Sequence, residues 1–319
     1  MTRYLVRRLA LMIPVAVLAS VILFVLLKLT PGDPVLIMLG ERATAQNYEA
    51  IRRELGLDQP YPIQYLRWAS HVVQGDLGKS LRNGAPVRDE IVERLPATFQ
   101  LGIVALLIAL VVAVPLGILS AVFRRSALGL GATAFTQVGV ALPGFFIGLV
   151  LIYVFALRLR WFPPGSYTMF TDNPGEWFRR IILPAITLSL FGAATQTRFI
   201  RSGLLETLHQ DYIRTARAKG FAESAVILRH ALRNALIPSV TLLGLQVGAI
   251  LEGAFIVESV FAWPGVGRLA VQALGARDYP TVQAVVLLAV FVFLLANLIV
   301  DIAYAYLDPR ISFARRGGA

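Results

Sequence analysis

The sequence predicts an all-α membrane protein with six spanning helices and a small helical segment outside the bilayer after the first of them. Three observations carry that prediction. Of 319 residues, 57% are hydrophobic and 15% charged, where a soluble domain of this size carries about a quarter charged. Six apolar runs are long enough to cross a bilayer, since a helix rises ~1.5 Å per residue and ~20 residues cover the ~30 Å hydrocarbon layer. Lys and Arg are concentrated in alternate short loops, as cytoplasmic loops require. In hydrocarbon each backbone group must be paired within its own segment, so these runs are helices, not strands.

The first run, Leu9–Leu27, holds nineteen residues without a charge, interrupted only by Pro14 and Ser20. Its basic leader, MTRYLVRR, has the look of a signal peptide, whose apolar core is ~7–15 residues and ends at a small-residue cleavage site. This run is longer and leads into Thr30-Pro31-Gly32-Asp33-Pro34, so a retained helix is expected, with residues 1–28 as the cytoplasmic end and first span. Residues 29–98 form the external segment. Its helix-like pieces, Asn47–Leu55 and Tyr61–Val73, are punctuated by Pro60, Pro62, Gly75, Gly78, Gly84 and Pro86. Residues 99–307 form the core, with spans at Leu101–Phe123, Ala134–Leu157, Ile181–Thr197, Leu236–Val257 and Val282–Tyr306 and a cytoplasmic loop at 198–235. Residues 308–319 are a short basic cytoplasmic tail.

Thr187, Ser189, Thr195 and Gln196 make the fourth span the most polar. Pro115, Pro143, Pro184 and Pro238 are expected to kink or locally break their helices. Gly144-x-x-x-Gly148 and Gly244-x-x-x-Gly248 have the spacing that lets helix backbones approach closely in lipid.

With the N-terminus inside, the cytoplasmic side holds fifteen Lys and Arg and the short external loops six. The segment from Lys28 to Arg94 has nine more, balanced by nine acids, and long segments cross largely regardless of charge. Both termini are therefore expected in the cytoplasm. The net charge of +11 reflects topology and contact with anionic lipid heads. A nucleic-acid partner is not expected, because the arginines are dispersed over both sides of the membrane. With no cysteine, disulfides and thiolate metal sites are excluded.

No catalytic constellation is visible. His71, His209 and His230 are far apart, and Glu90 and Glu93, one turn apart beside Arg88 and Arg94, read as a solvated helix face. Gly78-Lys79-Ser80 echoes the end of a phosphate-binding loop, but the first glycine of that motif falls on Val73 and no buried strand precedes it. ATP binding by this chain is not expected, and neither is any metal or cofactor site. Glu252 and Asp301 lie within apolar spans. Carboxylates at membrane depth face a cavity or a partner, so these two either line a translocation path or its gate, or sit near helix ends and reach headgroup water. A proton-coupled secondary transporter using Glu252 and Asp301 is the alternative function that they leave open.

The stretch from Asp211 to Pro238, DYIRTARAKGFAESAVILRHALRNALIP, is the most informative. Two membrane helices can be joined by a handful of residues, and an insert this large implies a contact of its own. Asp211 is expected to cap a helix over Tyr212–Lys219 that stops at Gly220, and Ser224 to cap a second one, Ala225–Leu236, leading into the fifth span. A short helix lying across the inner face and joined rigidly to a span would move that span when pushed.

This segment resembles the cytoplasmic loop of binding-protein-dependent ABC importer permeases. Their pattern is Glu-Ala-Ala, three residues, Gly, nine residues, then Ile-x-Leu-Pro. Here Arg214-Thr215-Ala216 fills the first triplet, Gly220 the glycine, His230 and Leu232 the Ile and Leu places, and Arg233 the place of Pro. Only Ala216, Gly220 and Leu232 match the general pattern. The departure, RTARAKG followed by RHALRNALIP, is similar to the dipeptide and oligopeptide branch, as are TPGDPV, RELGLDQPYPIQY, GDLGKSL, RLPATFQL, FAWPGVGRL, ARDYPTVQ and LDPRI. The likeness runs from about Tyr4 to Ile311.

The resemblance implies a type I importer half-channel, the peptide-transporting permease of a bacterial inner membrane. It implies a second, homologous permease subunit, two cytoplasmic ABC ATPases that hold the ATP and Mg, and an external solute-binding protein. Asp211 to Gly220 would be the coupling helix. Ala216 and Gly220 would be small enough for close docking, Arg214, Arg217 and Lys219 would pair with acids on the ATPase, and Thr215 would lie among them. The chain itself would be a transport subunit and not an enzyme.

Overall fold

The computed structural model describes residues 2–29, 34–39, 44–54 and 56–307. The expected basic tail at 308–319 lies outside the described residues. In chain order the helices are α1 (Thr2–Leu29), α2 (Pro34–Leu39), α3 (Ala45–Glu54), α4 (Tyr61–Val73), α5 (Val87–Val122), α6 (Ala127–Ala141) and α7 (Gly144–Leu151). They continue with α8 (Pro174–Thr207), α9 (Asp211–Ala218), α10 (Glu223–Ala225), α11 (Leu232–Ala235), α12 (Ile237–Val260), α13 (Val266–Gly275) and α14 (Tyr279–Leu307). Two stretches wind as π-helix, Ile152–Arg158 after α7 and Val226–Ala231 between α10 and α11. Among the described residues, five helices are long and apolar enough to cross a membrane, and up to six spans result when the bent pair α6 and α7 is taken as one.

The chain divides into two compact units, Met1–Thr98 with Pro264–Leu294, and Phe99–Trp263 with Leu295–Ala319. In the first, α4 is tied to the end of α1. Phe24, Tyr65 and Trp68 form an aromatic cluster with centroids 5.6–5.9 Å apart. Lys28 donates to Gln64 at 2.6 Å, and the Ser20 and Tyr65 hydroxyls are 2.9 Å apart. Gly78 and Gly84 take positive φ and turn the following strap, where Lys79 and Pro86 form a β-bridge.

The Gly78-Lys79-Ser80 sequence has a structural use in this strap. Ser80 Oγ donates to Asp278 at 2.5 Å, and the Leu81 amide donates to the same carboxylate at 3.0 Å. Thr281 Oγ1 adds a third bond at 2.8 Å. Asp278 is 2% exposed and stands immediately before α14, so one buried carboxylate holds the strap to the start of that helix. Glu90, expected on a solvated face, is instead buried and accepts from Asn83 Nδ2 at 2.5 Å. The fold brings a loop amide over its carboxylate, which helical periodicity alone does not reveal.

In the second unit α8 is the central helix, packed against α6, α7 and α12. Its polarity, which set the fourth span apart in the sequence, is largely explained by burial: Thr187, Ser189 and Gln196 lie inside the protein, as does Thr197, and Thr195 is half-buried. Thr187 and Thr197 return their hydroxyls to carbonyls one turn back, and Gly139 of α6 approaches so closely that a Cβ there would lie 2.7 Å from Ala194.

The third span departs from the expected single helix. Proline disfavours helical geometry in the residue before it and has no N–H to donate. Leu142 accordingly takes φ −86°, ψ 133° and Pro143 φ −61°, ψ 133°. Two consecutive extended residues end α6, and α7 leaves at a bend of 109°. Gly148 then packs its backbone within contact of Thr187 and Phe261, whereas Gly144 has nothing within 4 Å of where a Cβ would stand. The Gly144–Gly148 spacing is therefore not a two-point packing motif; only its second glycine is a contact.

Candidate functional site

The loop between α8 and α12 folds into α9, a tight turn and a π-wound connection. Ile213 and Ala216, one turn apart, form the inward face of α9 and are 0% and 7% exposed. They join a cluster with Ala113 and Ala121 of α5, Ile200 and Leu204 of α8, and Val226, Ala231 and Ala235 of the connection. Burying one isoleucine side chain stabilises the seat by ~1.5–3 kcal/mol. The connection itself is held close to α8, since a Cβ on Gly203 would lie 2.6 Å from the Ala235 carbonyl.

Three side-chain contacts fix α9 to that connection. Asn234 Nδ2 donates to the Tyr212 hydroxyl at 2.7 Å. Arg217 donates twice to Glu223, at 3.0 Å from Nε and 2.6 Å from Nη2. Phe221 packs on the His230 ring at 5.3 Å between centroids. The hydrogen bonds that Arg217 donates hold the Glu223 carboxyl below the usual carboxylate range, and the same bonds raise Arg217 above its ordinary value.

The helix ends as its sequence requires. Gly220 takes φ +78°, its N–H bonds the Arg217 carbonyl at 2.9 Å, and the Phe221 N–H reaches back to the Ala216 carbonyl at 3.4 Å. This pair of bonds closes the last turn around a left-handed residue that glycine adopts without a Cβ clash. At the other end Gln210, not Asp211, holds the N-cap position, with no side-chain cap bond. Asp211 is the first helical residue, where its charge favours the positive end of the helix dipole. Ser224 likewise lies inside α10, with Ala222 at the cap, and the expected continuous helix Ala225–Leu236 is interrupted by the π-turns.

The outward face carries Asp211, Arg214, Thr215, Arg217, Lys219 and Gly220. The Asp211 and Arg214 side chains are 97% and 79% exposed and 3.7 Å apart, a pair that water screens almost entirely. Ala216 faces the protein's own core, where its small size serves the seat. Arg217 is bonded to Glu223 within the chain, and Arg214 and Lys219 are further cations on the outward side.

Of the two membrane acids, Glu252 lies on the exposed stripe of α12 with Leu245, Ile256 and Ser259. Asp301 falls within α14, and its side chain lies outside the described residues. Gln196, one of the polar residues of the fourth span, is buried together with two residues of α12 that the sequence did not single out, Gln246 and Ser239. Gln196 of α8 donates to Gln246 of α12 at 3.0 Å and to the Ser239 carbonyl at 3.2 Å, and accepts from Ser239 Oγ at 2.5 Å. Gln246 Nε2 lies against Gly192 without a hydrogen-bond partner among the described residues. This amide cluster joins the two helices that leave the α9 loop. Its only local signal was a glutamine in each of two apolar runs. Glu258, passed over in favour of Glu252, is the fully buried acid of α12.

Residues 113–313 match the family described as the binding-protein-dependent transport system inner membrane component, and residues 1–102 match its N-terminal membrane component. The chain is 40% identical over 316 residues to the oligopeptide transport system permease protein AppB of Bacillus subtilis, covering 98% of this chain and 100% of that one. It is 41% identical over 313 residues to the glutathione transport system permease protein GsiC of Escherichia coli, with 98% and 100% covered. Among solved structures, a chain of an amino acid ABC transporter crystallised with histidines superposes with a TM-score of 0.51 at 16% identity. It covers 68% of this chain and 94% of that one, and it carries the fold alone.

Proposed function

The chain belongs to the family of binding-protein-dependent transport system inner membrane components, and on that premise we propose that it is the pore-forming subunit of an ATP-driven importer of di- or oligopeptides or similar small solutes. Peptide and glutathione permeases among its relatives support that substrate class. The distribution of Lys and Arg supports cytoplasmic termini and a cytoplasmic α9 in the bacterial inner membrane. A second homologous permease subunit completes the pore. A solute-binding protein delivers cargo outside, and two ATPase subunits bind ATP and Mg²⁺ inside. No covalent step falls to this chain. Glu252 and Asp301 belong to the path or its gate.

One observation carries the coupling role. An exposed, charged helix is seated through Ile213 on the ends of two spanning helices and clamped to a third segment that leads into α12. Displacement of α9 is thereby passed to α8 and α12 together, and the Gln196–Gln246–Ser239 cluster keeps those two helices in step. Arg214 and Lys219 offer the charges an acidic cleft on an ATPase would take.

The test is Arg214→Glu combined with Lys219→Glu in the assembled complex. Gly220 is a poorer probe, since its positive φ means that any side chain strains the helix end. Assembly and basal ATP hydrolysis are expected to persist, while solute-stimulated hydrolysis and uptake fall at least tenfold. Unchanged stimulation removes α9 from the coupling path.

A further inference from the structure

We infer that α4, in the segment that follows the first span, lies in the surface layer of the bilayer with one flank against outer-leaflet lipid. The inference goes beyond the importer reading and needs only that α1 crosses the membrane. Between Arg8 and Lys28, α1 carries nineteen uncharged residues, Leu9–Leu27. That run rises ~28 Å, close to the ~30 Å of the hydrocarbon layer. Lys28 therefore marks one boundary of the layer, and the residues just before it lie inside.

Helix α4 runs back along that stretch. At its start, Lys28 Nζ donates to Gln64 at 2.6 Å and stands 5.9 Å from the Tyr61 ring centre. Further on, the Tyr65 and Trp68 rings pack on Phe24 at 5.6 and 5.9 Å, and the Tyr65 hydroxyl reaches Ser20 at 2.9 Å. The partners on α1 thus recede from Lys28 to Phe24 as those on α4 advance from Tyr61 to Trp68. Phe24 lies one turn, ~6 Å, below Lys28. So α4 descends from the boundary instead of rising from it, to the ~5–10 Å depth of interfacial helices.

The surface of α4 is divided to match. Gln64, Tyr65 and Trp68 face α1, with Gln64 buried and its amide paired to the Leu57 and Gln59 carbonyls. Ile63, Leu66 and Val73 are 49%, 65% and 88% exposed and fall within about 80° of helix arc. Arg67, His71 and Gln74 are also exposed, and they fall within about 60° of arc on a separate flank. His71 lies 3.6 Å from Asp76 on that polar side. Water alone gives no reason to gather the exposed apolar residues on one flank. Full immersion in hydrocarbon would not tolerate Arg67. A helix with one side on α1, one in lipid and one in water satisfies all three sets. The turns of α1 against which it packs expose Ile22, Val25 and Leu26 to the same layer, and Tyr and Trp are the residues that favour this depth. Lipid contact holds the external segment at one height against the membrane surface.

Leu66→Cys and Val73→Cys on the apolar flank, and His71→Cys and Gln74→Cys on the polar one, are made singly in the complete importer. Each is labelled with a nitroxide in phosphatidylethanolamine–phosphatidylglycerol bilayers. The chain has no cysteine of its own, and all four positions are exposed, so the labels displace no packed side chain. Collision rates are read with oxygen, which concentrates in hydrocarbon, and with a water-soluble nickel chelate, after subtraction of the parent complex's signal. The oxygen-to-nickel ratio at 66 and 73 is expected to exceed that at 71 and 74 roughly fivefold or more. Equal ratios on the two flanks overturn the inference, since α4 then stands in water. Low collision with both reagents at 66 and 73 overturns it as well, since another subunit or the solute-binding protein then covers the flank. Neither readout depends on transport, so a complex that labels as expected and moves no solute counts against the importer reading alone.

Discussion

The α9 loop and the α6–α7 corner are opposites. The loop is highly charged, yet it is anchored by its few apolar residues, and its helix end is completed by a two-bond turn at Gly220. The corner is almost wholly apolar, yet it is exposed and leaves backbone groups open. Each is out of keeping with its composition, because each is fixed on one side and open on the other. In the loop the fixed side is hydrophobic and the free side ionic. At the corner the fixed side is the Gly148 contact and the free side is backbone.

The comparison is broken most directly at Ile213. Replacing it with Asp places an uncompensated charge in a fully buried seat, a cost on the order of 3–5 kcal/mol. The expected result is release of α9, read as rapid proteolysis at the loop arginines and loss of uptake with the spanning helices intact. The matching substitution at the corner, Phe145→Asp, is expected to leave the melting temperature within ~2 °C, because the side chain is already half exposed. Equal destabilisation at the two sites would end the contrast.

Two cavity-forming changes rank next. Leu204→Ala in the seat removes a fully buried side chain and is expected to cost ~2–5 kcal/mol. It should lower thermal stability in detergent and weaken the coupling of hydrolysis to uptake. Leu149→Ala on the exposed side of α7 should do neither.

The two glycines sharpen the comparison further. Gly220→Ala forces a Cβ into the left-handed region and is expected to cost ~1 kcal/mol, with Gly220→Asn closer to neutral. Gly144→Ala, which meets open space at ordinary φ, should leave stability unchanged. Thermal unfolding of the three variants decides it.

Much of this arrangement was legible from the chain. The spans follow from apolar run length, and the stop at Gly220 from its turn chemistry. The possibility of a break at Pro143 follows from the missing N–H. What could not be read depends on partners distant in sequence. Nothing near Asp278 names Ser80, 198 residues away, and nothing near Gln196 names Gln246. The small size of Ala216 suits docking and seating equally, and only the placement of Ile213 against α8 shows that it belongs to the seat. Helical spacing does not join Arg217 to Glu223 either, because Gly220 turns the chain between.

The smallest effect expected is also the one whose sign is fixed by charge. Glu223 is held below the ordinary carboxylate range by Arg217, so it binds fewer protons folded than unfolded. The pair's contribution is present above the unfolded carboxylate value, ~4.3, and is lost as pH falls through the depressed folded value. Both side chains are more than a third exposed, so the contribution stays below ~1 kcal/mol. Arg217→Gln is therefore expected to lower the melting temperature slightly at pH 7 and by a vanishing amount once the pH is below the depressed folded value. The parent and variant curves should converge on acidification, and a gap that widens instead would mean that Arg217 is held by something other than Glu223. Lys219, with no such partner among the described residues, gives the matched control: Lys219→Gln should show the same small difference, or none, at both pH values.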